Sequence, residues 1–496
     1  MTLAPLTLAL LVPLATAADL SSRLEHIIGA PGALSHAFVG MRVVRLSDGR
    51  VLYAHNSERL FVPASNMKLF TTALALSELG ADYRLSTRIG AAVPIDAEGT
   101  LPGDLELIGG GDPSLSGREY PYRNHDAPFA IYSFRAIDEM AEQLVAERGL
   151  KRIQGNVVGD DTRYVWEPQP GPWSSDDALR EYGAPVSALI LNDNTFALTL
   201  LPGLHAGDLA RITLTPTFEN FAIDNRVLTT ERGERKIEFY RSASARELHV
   251  WGAIPKGHAG YTQELAIGDP ALYAAEVLRD ALLRRGISIQ GQAMARHRFP
   301  DERSESPSQL SVVLAERRSP PLFDLLQVVD KVSQNLHAEM LLREVAVASG
   351  HSGSAQLGSR EAGLAVMSEF LTGIGISGGE YQFTDGSGLS RDTLVSPAAI
   401  TKLLVHMNQS AHREEWLNLL PIGAEDGTLG SRFAAHPEAR VIRAKTGTLD
   451  HVKALSGYAE TTAYGRVAFS ILVNNFEEPS PGVTKTIDEL VLALLP

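Results

Sequence analysis

From Met67 to Leu79 the chain carries apolar residues around nearly the whole circumference of a helix, and Gly80 stops it. A helix of this kind has no face to give to water, so it must lie inside a core. Whatever else the chain builds, it has to wrap a domain around this segment. Pro63-Ala64 opens the helix, Ser65 stands at its start, and Lys68 lies in its first turn.

The flanking sequence shows where that core comes from. Phe38 to Arg45 alternates and is rich in Val, and Asp48-Gly49 then leads to Val51-Leu52-Tyr53, a hairpin signal. Near the other end, Val441–Lys445, Val452–Tyr458 and Val467–Val473 read as three strands with short connections, closed by an amphipathic helix over Thr484–Leu495. Leu322–Val329 and Leu336–Val347 are helical by apolar spacing. Strands at both ends with helices between them predict one sheet made from both termini.

At 496 residues the chain is too long for one core, since cores rarely grow beyond about 250–300 residues. The excess lies between about 86 and 300, where short strand-like runs alternate with turn signals. Asp104–Ile108, Val186–Leu191, Arg211–Leu214, Lys236–Tyr240 and Leu248–Trp251 read as strands. Two helical patterns, Ala136–Arg148 and Ala271–Arg285, are each followed by Ile-Gln-Gly, at Ile153-Gln154-Gly155 and Ile289-Gln290-Gly291. This is a weak internal duplication within one α/β unit, interrupted by a strand-rich stretch.

Composition removes several functions. The net charge is −14, which disfavours nucleic acid as a partner. There are no cysteines, so disulfides, zinc–thiolate sites, iron–sulfur clusters and a cysteine nucleophile are excluded. Met1 to Ala18 lacks charged side chains, is apolar from Leu8 to Leu14, and ends near Ala15-Thr16-Ala17. It reads as a secretory signal peptide, although no basic residue precedes the apolar run. No other run is long enough to span a membrane, so no transmembrane anchor is expected.

Three short motifs carry the chemistry: Ser65-Asn66-Met67-Lys68, Ser333-Gln334-Asn335 and Lys445-Thr446-Gly447. Ser65 lies where free backbone N–H groups and the helix dipole favour a developing anion. Lys68, three residues on, shares its helix face. A serine hydroxyl is a weak nucleophile and needs a base. A lysine serves if burial or a second cation holds it neutral, and Lys445 could supply that cation. Ser333 and Asn335 fall on a tight turn between two helical segments. Gly447, at a strand end, permits close backbone approach of a ligand. Chance would yield only about 0.04 Lys-Thr-Gly triplets in such a chain, so this motif is the specific one.

This trio resembles that of the serine penicillin-recognising enzymes. More narrowly, the chain resembles the type-4 (DacB-like) penicillin-binding proteins, a D-alanyl-D-alanine carboxypeptidase/endopeptidase family. Pro63 to Leu69, Gly110-Gly111-Asp112-Pro113-Ser114-Leu115, Gly159-Asp160-Asp161-Thr162, Ser333 to Leu336 with Ala338-Glu339, and Asp385-Gly386-Ser387-Gly388-Leu389-Ser390-Arg391 carry the likeness. Gln334 replaces the commoner acidic residue. Ser65 and Ser333 stand 268 positions apart, far more than in a β-lactamase.

The resemblance implies an α/β (α+β) multidomain fold: a serine β-lactamase/DD-peptidase-like catalytic domain, an antiparallel sheet flanked by helices, with two nested inserted domains. The expected division is a signal peptide over 1–18, the catalytic domain over 19–86 and 302–496, an inserted α/β domain over 87–165 and 246–301, and a nested strand-rich domain over 166–245. By the same resemblance Ser65 is the nucleophile, Lys68 its base, and Ser333 with Lys445 relays the proton to the leaving amine. Asn335, Thr446, Gly447 and Thr448 would bind substrate, with the Ser65 and Thr448 N–H groups as oxyanion donors. Asp161 has two readings, a contact to the amino group of the cross-linking residue or a turn-forming aspartate. Asp112 and Asp385 read as structural. The implied partners are peptidoglycan peptides as substrate and β-lactams as inhibitors, in the periplasm, with no metal or organic cofactor. The competing readings are a serine β-lactamase or esterase on the same machinery, and a non-catalytic wall-binding homologue. No glutamate stands out as a dedicated deacylating base.

Overall fold

The computed structural model describes residues 17–124, 132–217, 222–241, 247–300, 311–351, 353–477, 479 and 481–495. Most of the expected leader lies outside them, as do the expected boundaries near 245 and 301.

One five-stranded antiparallel sheet is indeed built from both ends of the chain. Its order is Ile442–Leu449, Val452–Thr461, Gly465–Asn474, Phe38–Arg45, Val51–His55. Strand alternation feeds two cores. Val467, Phe469, Ile471 and Val473 join Leu20 and Leu24 of the helix Ala17–Gly29 and Ile487 and Leu490 of the helix Pro481–Leu492. Ala468 and Leu472 face the other way, into the core around Met67–Leu79. That helix has the expected ends and is buried from Met67 to Leu76. Asn335–Ser349, Arg360–Gly373 and Pro397–Gln409 complete its surroundings.

Between these pieces sits a second five-stranded sheet, ordered Ala293–Arg298, Val157–Val165, Leu105–Ile108, Ser86–Ala91, Val312–Arg318. Its last strand comes from beyond residue 302, so this sheet draws on sequence expected in the catalytic domain. The internal duplication is real in three dimensions. The helices Arg135–Ala146 and Pro270–Arg284 each lead to a short strand, Arg152–Ile153 and Ser288–Ile289, which pair in parallel; Val157–Val165 and Ala293–Arg298 then also pair in parallel. The glycines of the two Ile-Gln-Gly units meet: Gly291 N–H donates to the Gly155 carbonyl at 3.1 Å, and a Cβ on Gly291 would lie 2.4 Å from that oxygen.

Two expectations need correction. The strand-rich part does not stop at 245. Glu247–Pro255 pairs in parallel with Ala222–Thr230, and Tyr261–Ala266 pairs with Thr195–Leu201. Pairing thus carries this part to Ala266: Glu247–Pro255 lies between Ala222–Thr230 and the preceding strand Lys236–Tyr240, and Tyr261–Ala266 reaches back to Thr195–Leu201. Val186–Leu191 is not a strand. Its backbone groups go to separate loops: the Ala188 carbonyl accepts from Gly111 N–H at 2.8 Å, and Val186 N–H donates to the Pro168 carbonyl at 2.8 Å.

Glu344, fully buried on Asn335–Ser349, ties the second sheet to the helices around Met67–Leu79. It accepts from Tyr83 Oη at 2.6 Å, Tyr164 Oη at 2.8 Å and Arg163 Nε at 2.8 Å. Glu344→Ala strands these donors and leaves Arg163 without its counter-charge. It should cost about 3–5 kcal/mol in urea unfolding, and Glu344→Gln clearly less.

Candidate active site

Ser65 lies in a 3₁₀ turn, Ala64–Asn66, that runs straight into the helix Met67–Leu79. Two glycines let backbone close on this turn. A Cβ on Gly388 would sit 1.9 Å from the Ala64 carbonyl oxygen, and one on Gly447 would sit 2.6 Å from that of Pro63. At Gly447 the backbone that comes close is that of Pro63, just before the turn carrying Ser65. Asn66 Nδ2 donates to the Lys445 carbonyl at 2.9 Å and fastens the helix to the strand carrying Lys-Thr-Gly.

Lys68 is fully buried. Its Nζ lies 2.8 Å from Ser65 Oγ, 2.5 Å from Asn335 Oδ1 and 2.8 Å from the Ser387 carbonyl oxygen. Burial, and then the nearby charge of Lys445, push its pKa well below the usual lysine range. A neutral amine has two N–H bonds and one lone pair. The two bonds suit the amide and carbonyl oxygens, which can only accept, and the lone pair is left for the Ser65 hydroxyl proton. The Ser387 carbonyl is held by the loop Asp385–Arg391. Asp385 accepts from Ser390 N–H at 2.8 Å and Thr393 Oγ1 at 2.7 Å, while Glu339 takes the Gly386 and Ser387 N–H groups at 2.8 and 2.9 Å. Asp112 caps its own turn through Ser114 N–H at 2.8 Å. Each of these aspartates holds backbone N–H groups of its own loop.

Ser333 follows a π-type turn, Val328–Val332, and is left-handed at φ 70°. Its Oγ accepts from Lys445 Nζ at 2.9 Å, and the same ammonium donates to the Thr446 carbonyl at 3.0 Å. Burial lowers the Lys445 pKa to about 8, against the pull of Asp330. Asn335 opens its helix and donates from Nδ2 to the Tyr182 carbonyl at 2.8 Å. Gln334 has a local reason. Its Nε2 donates to Asp193 Oδ2 at 3.0 Å, where a carboxylate would be repelled. Asp193, from the inserted part, is buried with Arg118 and with His337 at 2.9 Å.

A cavity of about 320 Å³ opens above these groups, lined by Ser65, Ser333, Thr446, Gly447 and Thr448. Lys68, Asn335 and Lys445 stand behind its wall. Thr428, Arg432 and Lys453 also line it and carried no local sequence signal. Thr428 and Thr446 share a hydrogen bond at 2.8 Å, Lys453 Nζ reaches Thr448 Oγ1 at 3.3 Å, and Arg432 pairs with Asp488. The arrangement can move a proton from a serine to a buried amine and pass another through a second serine–lysine pair.

Asp161 is not brought to this cavity. It is buried, accepts from Ser187 Oγ at 2.8 Å and faces His297 Nδ1 at 2.9 Å. His297 stacks on Trp166 and also faces Asp269. Burial disfavours the imidazolium, but Asp161 and Asp269 outweigh it and raise the pKa to about 9. The folded value lies above the unfolded one of roughly 6.5, so the stabilisation is full below that pH and is lost as pH rises through 9. The thermal midpoint should therefore fall between pH 6.5 and 9, and His297→Gln should flatten that fall. At the turn Ala64–Asn66, Gly388→Ala should lower the thermal midpoint by several degrees and cut the reactivity of Ser65 toward an acylating reagent at least about tenfold, because the turn must shift by more than an ångström.

The D-Ala-D-Ala carboxypeptidase 3 (S13) family profile matches residues 20–493. A D-alanyl-D-alanine carboxypeptidase of Actinomadura sp. is 30% identical over 475 residues, which cover 93% of this chain and 82% of that protein. The carboxypeptidase DacB of Haemophilus influenzae is 26% identical over 88% of this chain and 85% of its own. The crystal structure of penicillin-binding protein 4 (DacB) from H. influenzae superposes with a TM-score of 0.80 at 22% identity, covering 96% of this chain and 99% of that one. With the three motifs gathered around one cavity and the match running nearly from end to end, the chain belongs to the D-Ala-D-Ala carboxypeptidase 3 (S13) family.

Proposed function

We propose that this chain is a serine D-alanyl-D-alanine carboxypeptidase and endopeptidase that works through an acyl-enzyme on Ser65. The observation that carries the mechanism is the buried Lys68 amine at 2.8 Å from Ser65 Oγ, with its two other contacts made to obligate acceptors.

Ser65 Oγ attacks the carbonyl of the D-alanyl bond while its proton passes to Lys68 Nζ. The carbonyl oxygen becomes an oxyanion, for which the N–H groups of Ser65 and Thr448 are the donors. The C–N bond then breaks. The leaving amine takes a proton from Ser333 Oγ, which regains one from Lys445. Thr446 and Thr448 receive the substrate's terminal carboxylate, with Asn335 holding the acyl amide and orienting Lys68. Lys68 then passes its proton on to Lys445, which restores the starting charges; the neutral Lys68 amine takes a proton from the water that attacks the ester, and Ser65 Oγ takes that proton as it leaves. The substrate is the stem peptide or cross-link of peptidoglycan, so the enzyme acts after export, in the periplasm. Among the described residues no helix is long and apolar enough to cross a membrane. The H. influenzae protein has been crystallised with a β-lactam. The same cavity here would let penicillin acylate Ser65 and stay.

Asp161 takes the structural role in this reading, given its commitment to Ser187 and His297. The catalytic unit comprises the two ends of the chain, and the intervening sequence supplies the inserted units.

Incubation with muropeptides followed by mass spectrometry should show loss of terminal D-alanine and opening of cross-links. Ser65→Ala should lower both by roughly 10³-fold or more. Fluorescent penicillin should label the wild type one to one and leave Ser65→Ala unlabelled. Rapid steady-state turnover of a chromogenic cephalosporin would instead assign a β-lactamase.

A further inference from the structure

The π-type turn Val328–Val332 places an aspartate where the mechanism so far has no use for one. Asp330 is fully buried, and neither carboxylate oxygen accepts a hydrogen bond in good geometry. The Thr72 hydroxyl is directed to it, but its one proton goes to the Lys68 carbonyl at 2.7 Å. A carboxylate this poorly satisfied persists in a core only if a charge balances it.

The charged groups facing Asp330 are Lys445 from the strand Ile442–Leu449, Lys68 from the helix Met67–Leu79 and Lys331 from its own turn. Lys331 is committed elsewhere, to Asp426 at 2.5 Å and the Leu420 carbonyl at 3.1 Å. The other two carboxylates near Lys68, Asp385 and Glu339, favour its charged form, but unlike Asp330 their oxygens are hydrogen-bonded. Glu339 has Arg343 and two backbone N–H groups, and Asp385 has hydroxyl and backbone donors. Asp330 is the one carboxylate acting on Lys445. Asp330 is therefore the buried negative charge set to keep a proton on Lys445, and a charged Lys445 in turn opposes one on Lys68.

We propose that Asp330 is a positioning residue for acyl transfer: its carboxylate holds Lys445 in the ammonium form and so leaves Lys68 as the neutral base. This rests on the reading of Lys68 as the base for Ser65. The proton balance is direct. Before acylation the cluster carries one proton on Lys445 beyond the neutral amines. Attack moves the Ser65 proton to Lys68, and the leaving amine takes one from Lys445 through Ser333. Burial raises the Asp330 carboxyl to about 7, against Lys445, Thr72, Lys68 and Lys331, so the carboxylate and the two amines titrate as a unit.

The test is the pH dependence of Ser65 acylation by fluorescent penicillin in the full chain, wild type against Asp330→Asn. The amide keeps the shape and removes the charge. The alkaline limb, set by loss of the Lys445 proton, should move to lower pH by about one unit or more, and the maximal rate should fall about tenfold. The thermal midpoint should hold or rise. A uniform loss of rate with both limbs in place would overturn the proposal and leave Asp330 a packing residue. A second measurement needs no variant at Asp330. The nine lysines make side-chain nitrogen resonances tractable in the wild type, with Lys445→Arg and Lys68→Arg used only to identify signals. An ammonium at Lys445 and an amine at Lys68 near pH 7 supports the proposal, and the reverse overturns it. Failure of penicillin to label wild-type Ser65 at any pH would instead count against the peptidase reading itself.

Discussion

The burial of one amine organises this protein. Lys68 sits on a helix buried from Met67 to Leu76, and its three oxygen neighbours are Ser65 beside it and two from distant parts of the chain, Asn335 from the second motif and Ser387 from a loop. Removing a lysine from water is costly, and that cost disfavours its charged form. Each of the surrounding elements can be understood as keeping the amine dry and its acceptors fixed. The glycine contacts at Gly388 and Gly447 press backbone against the nucleophile's turn, and Glu339 and Asp385 hold the loop that presents the Ser387 carbonyl.

The core of this arrangement was legible in the sequence because it is local. The helix Met67–Leu79 announces itself by an apolar circumference and a stopping glycine, and the catalytic strands by alternation. The Ser-x-x-Lys spacing follows from helix geometry alone. The duplicated helix and Ile-Gln-Gly units were legible for the same reason, and their two glycines meet in space. What stayed hidden depends on pairing across long separations. Leu248–Trp251 reads as a strand, but nothing local says that one partner of the observed strand Glu247–Pro255 is Ala222–Thr230. Val186–Leu191 has strand composition, yet spends its backbone groups on loops. Thr428 and Arg432 reach the cavity from turns, and Asp193 meets Gln334 and His337 from the inserted part. Such residues are polar and sit in loops, which is also how countless surface residues look.

Asp161 illustrates the ambiguity well. Gly-Asp-Asp-Thr is compatible with a turn or a ligand contact, and only the placement of His297 and Ser187 decides where the carboxylate points. Gln334 makes the opposite point. It departs from the family pattern in sequence, yet the fold supplies a carboxylate beside it from Asp193.

The catalytic sheet joins Phe38–Arg45 to Gly465–Asn474 along its full length, and Asn474 accepts from Val62 N–H across 412 positions. Ser65 and Lys68 are therefore made early, while the wall that buries them and the strand bearing Lys445 are made last. Closing so long a loop is entropically cheap per added residue but slow to find. A chain still lacking the strands Ile442–Leu449 and Gly465–Asn474 can form the helix Met67–Leu79 but cannot bury Lys68 beside Lys445.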